Sequence, residues 1–392
     1  MLAGLLLALQ DADDRPGVLT ATLPFGGLTL IEFQARLLIA AGASQIVVVV
    51  ARQTPELLGA LSRIGRRGVA VDTVRSASEI VERIHPMARV LMVADGLTTT
   101  APIVAAMAEG IGDALLVVPE DDDAPGFERL GGGLGWAGLA RFGPPRLAEL
   151  AAMPRDYDIE STLIRLASQA GAAHFSLPEP AVRQGHAIDH SAALMGRRSR
   201  TALAAVVSTR RTWFDRIVVN PIARRAIVPL VARAIPAIAV GVAVALVATS
   251  GLVALWFDHP IVGLTATIVA AIGVAIVEVL ADLRDDATSA RLARRAGQAL
   301  PAAALLVTGY RDSLGSGDTG PATVAVVLVA TAVLVGRARR GDAPGWWGTP
   351  PAYVVLALAG AIVGFPAAGL IVAAVYAAIT LAAAIERSRE QA

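Results

Sequence analysis

The chain contains no cysteine, and all 34 of its basic side chains are arginine, so lysine is absent as well. The first absence removes disulfides, thiolate nucleophiles and Cys-ligated zinc. The second removes the compact ammonium group that many phosphate sites use, leaving arginine and backbone N–H groups to hold any phosphate. Genomic base composition is a sufficient cause for the bias. The five histidines, at 85, 174, 186, 190 and 259, are scattered. Only His186 and His190 have the i, i+4 spacing that puts two imidazoles on one helix face, and their polar setting does not favour a metal pair. A formal net charge of +1 says little about partners, because local distribution decides binding.

What the chain has in excess is apolar surface. Hydrophobic residues make up 55% of its 392 positions and mean hydropathy is +0.60, too apolar for one ordinary soluble domain. The excess lies almost entirely after residue 225. Four regions follow: an α/β domain over 1–175, a polar linker over 176–196 with Pro178 and Pro180, a basic interfacial helix over 197–225, and a membrane domain over 226–392. At the N-terminus, Leu5 to Leu9 is too short for a signal peptide, lacks preceding basic charge and runs into Asp11, Asp13 and Asp14. It reads as a buried strand or helix.

Within the first region helical and strand patterns alternate. Ile46 to Val50 is a continuous β-branched run, followed by strands near Val69 to Val74, Val90 to Ala94 and Ala114 to Val118, with helices between them. Repeated βα units predict a Rossmann-like, mostly parallel sheet with helices on both faces, which binds ligands beyond the C-terminal strand ends. Asp95 falls there. It is either a metal ligand or a strand-end carboxylate that caps a turn. Gly131 to Gly133 reads as a turn, since no helix begins directly behind it.

In the second half, Arg197, Arg198, Arg200, Arg210, Arg211, Arg216, Arg224 and Arg225, with Trp213 and Phe214 among them, predict an interfacial helix on an anionic leaflet. Nucleic-acid binding is disfavoured because lipid-embedded sequence follows at once. Six apolar segments are expected: Ala237 to Trp256, Pro260 to Ala281, Ala296 to Tyr310, Ala322 to Gly336, Ala352 to Gly364 and Ala367 to Ile385. Gly364-Phe-Pro366 separates the last two. Six crossings return Arg284 to Arg295, Arg337 to Arg340 and Arg387 to Arg389 to the side of Arg224 and Arg225. The positive-inside rule then predicts a multi-pass inner-membrane protein with its N-terminal domain and C-terminus cytoplasmic. Apolar segments without intramembrane charge argue against a transporter.

Between the second and third segments stands a dense charged stretch, Glu278 to Arg295. Asp282, Asp285 and Asp286 offer carboxylates for a cation, and Arg284 and Arg291 offer guanidinium groups for a phosphate. The competing reading is a solvated helix end whose acids pair with those same arginines at helical spacings.

Two family resemblances rest on these residues. Leu23-Pro-Phe-Gly-Gly-Leu-Thr-Leu-Ile-Glu32, the helix-to-strand passage Ala40 to Val48, Val90-Leu-Met-Val-Ala-Asp95 and Gly135-Trp-Ala-Gly-Leu-Ala140 resemble nucleotidyltransferases that make NDP-sugars or CDP-alcohols. That resemblance implies a metal-binding Asp95 and a nucleotide ligand. It departs where the family wraps phosphate: Ala3-Gly4 is followed by Leu5 to Leu9, without the glycine-rich loop or its cation, and Thr22 stands where a lysine is expected. Trp213-Phe-Asp-Arg-Ile217, Asn220-Pro-Ile-Ala-Arg224 and Asp286-Ala-Thr-Ser-Ala-Arg291 resemble the CDP-alcohol phosphotransferases. That resemblance implies Mg2+ or Mn2+, a CDP-alcohol, a role in phospholipid or inositol-lipid synthesis, and a homodimer formed through the membrane domain. Ala287 replaces the motif's glycine, and Gln298 to Leu306 lacks the second pair of carboxylates and with it the base. Two functional readings follow. One is a catalytically degenerate binding or scaffolding partner, favoured because both motifs have eroded where charge is handled. The other is an active transferase with a metal site rebuilt from Asp282, Asp285 and Asp286.

Overall fold

A computed structural model describes residues 1–119, 127–154, 157–178, 185–207, 212–233, 235–283, 286–338 and 344–390. By its internal contacts the chain separates into two compact units, Met1–Ala202 and Leu203–Ala392.

The first unit is built on an eight-stranded mixed sheet. Its centre is β1 (Leu2–Ala8), with all seven residues buried. Such an unbroken apolar strand needs cover on both faces. Chain order continues with a hairpin of β2 (Asp11–Ala12) and β3 (Arg15–Leu19), then the short pair β4 (Pro24–Phe25) and β5 (Leu28–Thr29), and α1 (Leu30–Ala40). Thr29 and Glu32 make a capping box at the start of α1, which satisfies amide donors that a helix end leaves open. Next come β6 (Ala43–Val50), α2 (Pro55–Gly65), β7 (Ala70–Val74), α3 (Ala77–Arg83), β8 (Arg89–Val93), β9 (Leu97–Thr98), α4 (Ala101–Ala108) and β10 (Ala114–Pro119). The unit continues through β11 (Glu128–Gly131), β12 (Leu134–Phe142), α5 (Pro144–Ala151), α6 (Ile159–Gln169), β13 (Ala173–Ser176) and β14 (Ala187–Ile188).

Sheet order is β13-β10-β12-β8-β1-β6-β7, with β11 beside β12. β1 runs parallel to β6 and β8, whereas β12 is antiparallel to both β8 and β10. The sheet is therefore mixed. Gly131, Gly132 and Gly133 all take positive φ where β11 turns into β12, a conformation that glycine adopts without a Cβ clash. The polar stretch expected to be a linker is not free chain in its described part. β14 pairs with β9, and Asp14 accepts the backbone N–H groups of Ala192 and Ala193 at 2.7 and 2.9 Å, capping α7 (Ala192–Val207). Sequence polarity missed this, because a two-residue strand and a cap supplied from 178 residues away leave no periodic signal.

The second unit is helical. The basic stretch that suggested one interfacial helix is divided between α7 and a later segment, with Arg210 and Arg211 outside the described residues. That later segment begins with a π-type turn, Asp215–Val219, and passes into α8 (Asn220–Ala232). Six helices follow among the described residues: α9 (Ala237–Trp256), α10 (Pro260–Leu283), α11 (Ala287–Ser316), α12 (Gly320–Ala338), α13 (Pro350–Ile362) and α14 (Pro366–Glu390).

Four of these, α9, α10, α12 and most of α14, are long and apolar enough to cross a membrane. The expected third and fifth crossings differ. The apolar run from Ala296 lies inside α11, a 30-residue helix whose first turns carry Arg291, Arg294 and Arg295. The fifth is only 13 residues, about 20 Å at 1.5 Å per residue, against a hydrocarbon core of about 30 Å. Backbones approach closely where glycines meet. A Cβ on Gly360 would lie 2.6 Å from the Cα of Gly369, and one on Gly263 would lie 2.8 Å from the carbonyl oxygen of Gly251.

Candidate functional site

Asp95 lies two residues beyond the strand β8, at the C-terminal edge of the sheet, and is 2% exposed. Its Oδ2 accepts the backbone N–H groups of Leu9 and Gln10 at 2.9 and 3.0 Å. These two amides come directly after β1, the neighbouring parallel strand, so one carboxylate fastens the ends of adjacent strands. Burial lifts the Asp95 carboxyl above the usual carboxylate range, and the pull of Gln10, Leu9 and the nearby His190 only partly offsets it. Oδ1 is buried and without a hydrogen-bond partner.

Several titratable groups face this edge. Glu160, near the start of α6, is pushed up to about 8, first by burial and then by the negative charges of Asp95, Asp158 and Glu128. Glu128 is raised as well, by burial and by Asp158, against the pull of Arg165. Asp158 itself caps α6, accepting the Ser161 backbone N–H at 2.8 Å. Gly96 has a φ of +75°, and a Cβ there would lie 2.6 Å from the carbonyl oxygen of Asp189. Glycine is what lets the residues 189–190 close over Asp95. The Nε2 of His190 is buried without a hydrogen-bond partner.

His186 and His190 do not share a helix face, because β14 lies between them. His186 is fully buried; its Nε2 meets the Ala137 carbonyl and its Nδ1 meets the Thr99 hydroxyl, both at 2.8 Å. Burial holds its pKa below the ordinary histidine value. A neutral ring donating from Nε2 and accepting at Nδ1 satisfies both contacts.

The charged stretch of the second unit is partly described, with Arg284 and Asp285 outside the described residues. Asp282 and Glu278 both meet Arg294, at 3.1 and 3.2 Å. Asp286 caps α11: its Oδ1 accepts the backbone N–H groups of Thr288 and Ser289 at 3.2 and 3.0 Å. Hydrogen bonds from Ser289 hold its carboxyl below the usual carboxylate value. Arg291, one turn on, is exposed. Asp215, Glu278, Arg294, Gly297 and Gln298 line a cavity of about 320 Å3. Beside this region Trp213 donates its indole N–H to the Tyr376 hydroxyl at 3.0 Å, Tyr376 donates to the Trp346 carbonyl, and the Arg387 guanidinium sits 5.9 Å from the Trp347 ring.

Among the described residues no three Asp, Glu or His side chains come together as a metal-holding set. A divalent cation takes several oxygen donors, and of the described acids in the charged stretch Asp282 is engaged by Arg294 and Asp286 by the start of α11. Glu160 and Asp189 are not singled out by the sequence, and His190 enters it only in the disfavoured metal pair with His186, not as a neighbour of Asp95. Glu160 follows a helix cap and reads as an ordinary first-turn acid, and only the fold brings it to Asp95.

No family model and no curated relative matches this sequence. Solved structures do. A UDP-glucose pyrophosphorylase complexed with UDP-glucose aligns with 45% of this chain and 91% of its own, at 11% identity and a TM-score of 0.35. The inositol-1-phosphate CTP transferase from T. maritima aligns with 45% of this chain and 84% of its own, at 12% identity and a TM-score of 0.35.

Proposed function

We propose that this chain is a membrane protein related to the nucleotidyltransferases and CDP-alcohol phosphotransferases of phospholipid or inositol-lipid synthesis, catalytically degenerate in both halves and acting as a binding or scaffolding partner. One observation carries the reading. The Leu9 and Gln10 amides, placed where a phosphate-wrapping loop would need its donors, are already bound to the Asp95 carboxylate. An anion arriving there meets an occupied pair of N–H groups and no lysine. The membrane half supports the same reading, since Asp282 is ion-paired and Asp286 is a helix cap. In this proposal the protein sits in the inner membrane with the α/β unit in the cytoplasm and pairs with a second copy through its membrane helices.

A second reading is an active transferase, in which Mg2+ or Mn2+ binds at the rebuilt cluster of Asp282, Asp285 and Asp286, or at Asp95. The buried, unpartnered Oδ1 of Asp95 favours it. One assay separates the two. Purified protein in detergent is supplied with CTP, Mg2+ and sugar or inositol phosphates, and pyrophosphate and CMP are followed. The degenerate reading expects no turnover from well-folded protein. Turnover lost in Asp95→Asn or Asp286→Ser, both of which keep the local hydrogen bonds, would establish the active enzyme instead.

A further inference from the structure

The second unit contains a cavity of about 460 Å3, a volume within the range of about 300–1,000 Å3 usual for small-molecule sites. Its walls come from the middle of α11 (Gly297 to Leu305), the last turns of α12 and the first turn of α13. Leu305, Val329, Ala332 and Tyr353 form an apolar interior. Val333 also lines it and is 50% exposed, so the cavity opens on the outer, apolar face of the helices. In a bilayer that face meets acyl chains. Water entering such a space finds few polar partners, so a chain is the better occupant.

The rim supplies the second half of the argument. Among the described residues Arg337, in the last turn of α12, is the one charged side chain lining this cavity, and Gln298 stands with it. A guanidinium at a helix end, beside an apolar slot, fits a phosphodiester with two parallel N–H···O bonds. The adjoining 320 Å3 cavity shares Gly297 and Gln298, but Asp215 and Glu278 line it and its Arg294 is paired with Glu278 at 3.2 Å. Carboxylates there repel a phosphate, and none lines the larger space among the described residues.

We infer that the larger cavity holds one anionic phospholipid, its chain between Leu305, Val329 and Tyr353 and its phosphate on Arg337. The site adjoins the acidic cavity but, among the described residues, shares no charged side chain with it, so lipid retention and nucleotide turnover are read by separate measurements. It requires only that the second unit be embedded in a bilayer.

The full chain, released from detergent, is tested by native mass spectrometry after exchange with phosphatidylglycerol or phosphatidylcholine. The expected result is one retained phosphatidylglycerol, preferred about tenfold over phosphatidylcholine, the ratio that one good charge-assisted contact confers. Arg337→Gln, at the exposed rim, should remove the preference while a lipid is still retained. Ala302→Trp, which fills the slot, should remove retention of both lipids. Equal retention of the two lipids by the unaltered protein, or a preference unchanged in Arg337→Gln, overturns the proposal. Displacement of the lipid by soluble glycerol phosphate also overturns it, because the site would then be a headgroup site only.

Discussion

Glu32 and Arg63 form a two-point ion pair within the α/β unit, with Nε on Oε1 at 2.6 Å and Nη2 on Oε2 at 2.9 Å. The two ends differ in setting: the Glu32 side chain is 2% exposed and that of Arg63 is 45% exposed. Burial alone would raise the Glu32 carboxyl, but Arg63 and Thr29 bind its charged form and hold it below the ordinary value. Removing the guanidinium strands a buried carboxylate. Arg63→Ala should therefore cost about 1–3 kcal/mol, less than a fully buried pair because the arginine end is solvated. The pH dependence has a definite sign. Because the folded pKa lies below the unfolded value of about 4.3, this stability is present above that value and is lost as pH falls through the folded pKa. Urea unfolding at pH 7 and pH 3 should show the difference between the original protein and Arg63→Ala shrinking at the lower pH.

Asp95 offers a sharper comparison, because its two oxygens have different tasks. Asp95→Asn keeps an acceptor for Leu9 and Gln10, and its amide nitrogen sits where Oδ1 now has no partner. Asp95→Ala leaves two backbone amides unpaired, at about 1–3 kcal/mol for each. Stability at pH 7 should thus be unchanged or higher in the asparagine variant and several kcal/mol lower in the alanine variant. Equal losses in the two variants would mean that charge, and not the paired amides, holds this edge together.

Glu160 carries the reverse pH sign. Its folded value of about 8 lies above the unfolded one, so its contribution is fully present below about pH 4.3 and is withdrawn as pH climbs toward 8. Glu160→Gln cannot ionise. Thermal midpoints measured from pH 5 to pH 9 should fall more steeply for the original protein than for the variant up to about pH 8, with the curves running parallel beyond it. Curves that stay parallel over the whole range would show that the carboxyl titrates normally.

The positions of these groups mark what could be read from sequence. The strand Ile46 to Val50, the strand Val90 to Ala94 and the break at Gly364-Phe-Pro366 are all legible, because unbroken apolar runs and proline act locally. The direction of β12 was not, because antiparallel pairing on β8 and β10 depends on the path of the chain and not on its pattern. The site behaves likewise. Asp95 could be placed at a strand end, yet its bond to Leu9 spans 86 positions, and His190 and Glu160 reach it only through folding. Helix α11 begins before the apolar run that predicts it, because Asp286 caps a helix that runs on through the charge of its first turns.

Packing in the second unit gives a prediction free of electrostatics. Gly360 and Gly369 let α13 and α14 approach until a Cβ would have only 2.6 Å of room. Gly360→Leu should separate the two helices and cost about 1–3 kcal/mol of overpacking. Gly241, whose Cβ would meet nothing within 4 Å, is the control, and Gly241→Ala should leave the thermal midpoint in detergent unchanged or slightly higher. Equal sensitivity at the two positions would contradict the close crossing.

Asp286 joins stability and function in one residue. As the cap of α11 it accepts the Thr288 and Ser289 amides, a role that serine can also fill, so Asp286→Ser should be near neutral while Asp286→Ala costs about 1 kcal/mol. As a metal ligand it would be irreplaceable by serine, whose neutral hydroxyl is a far weaker partner for a divalent cation than a carboxylate. Thermal unfolding of the two variants, read beside CMP release from CDP-alcohols, therefore separates the roles. Serine restoring stability in a protein that shows no turnover at all is the pattern expected of a cap. A folded serine variant that loses a turnover present in the original chain would move Asp286 from the helix end into a catalytic centre.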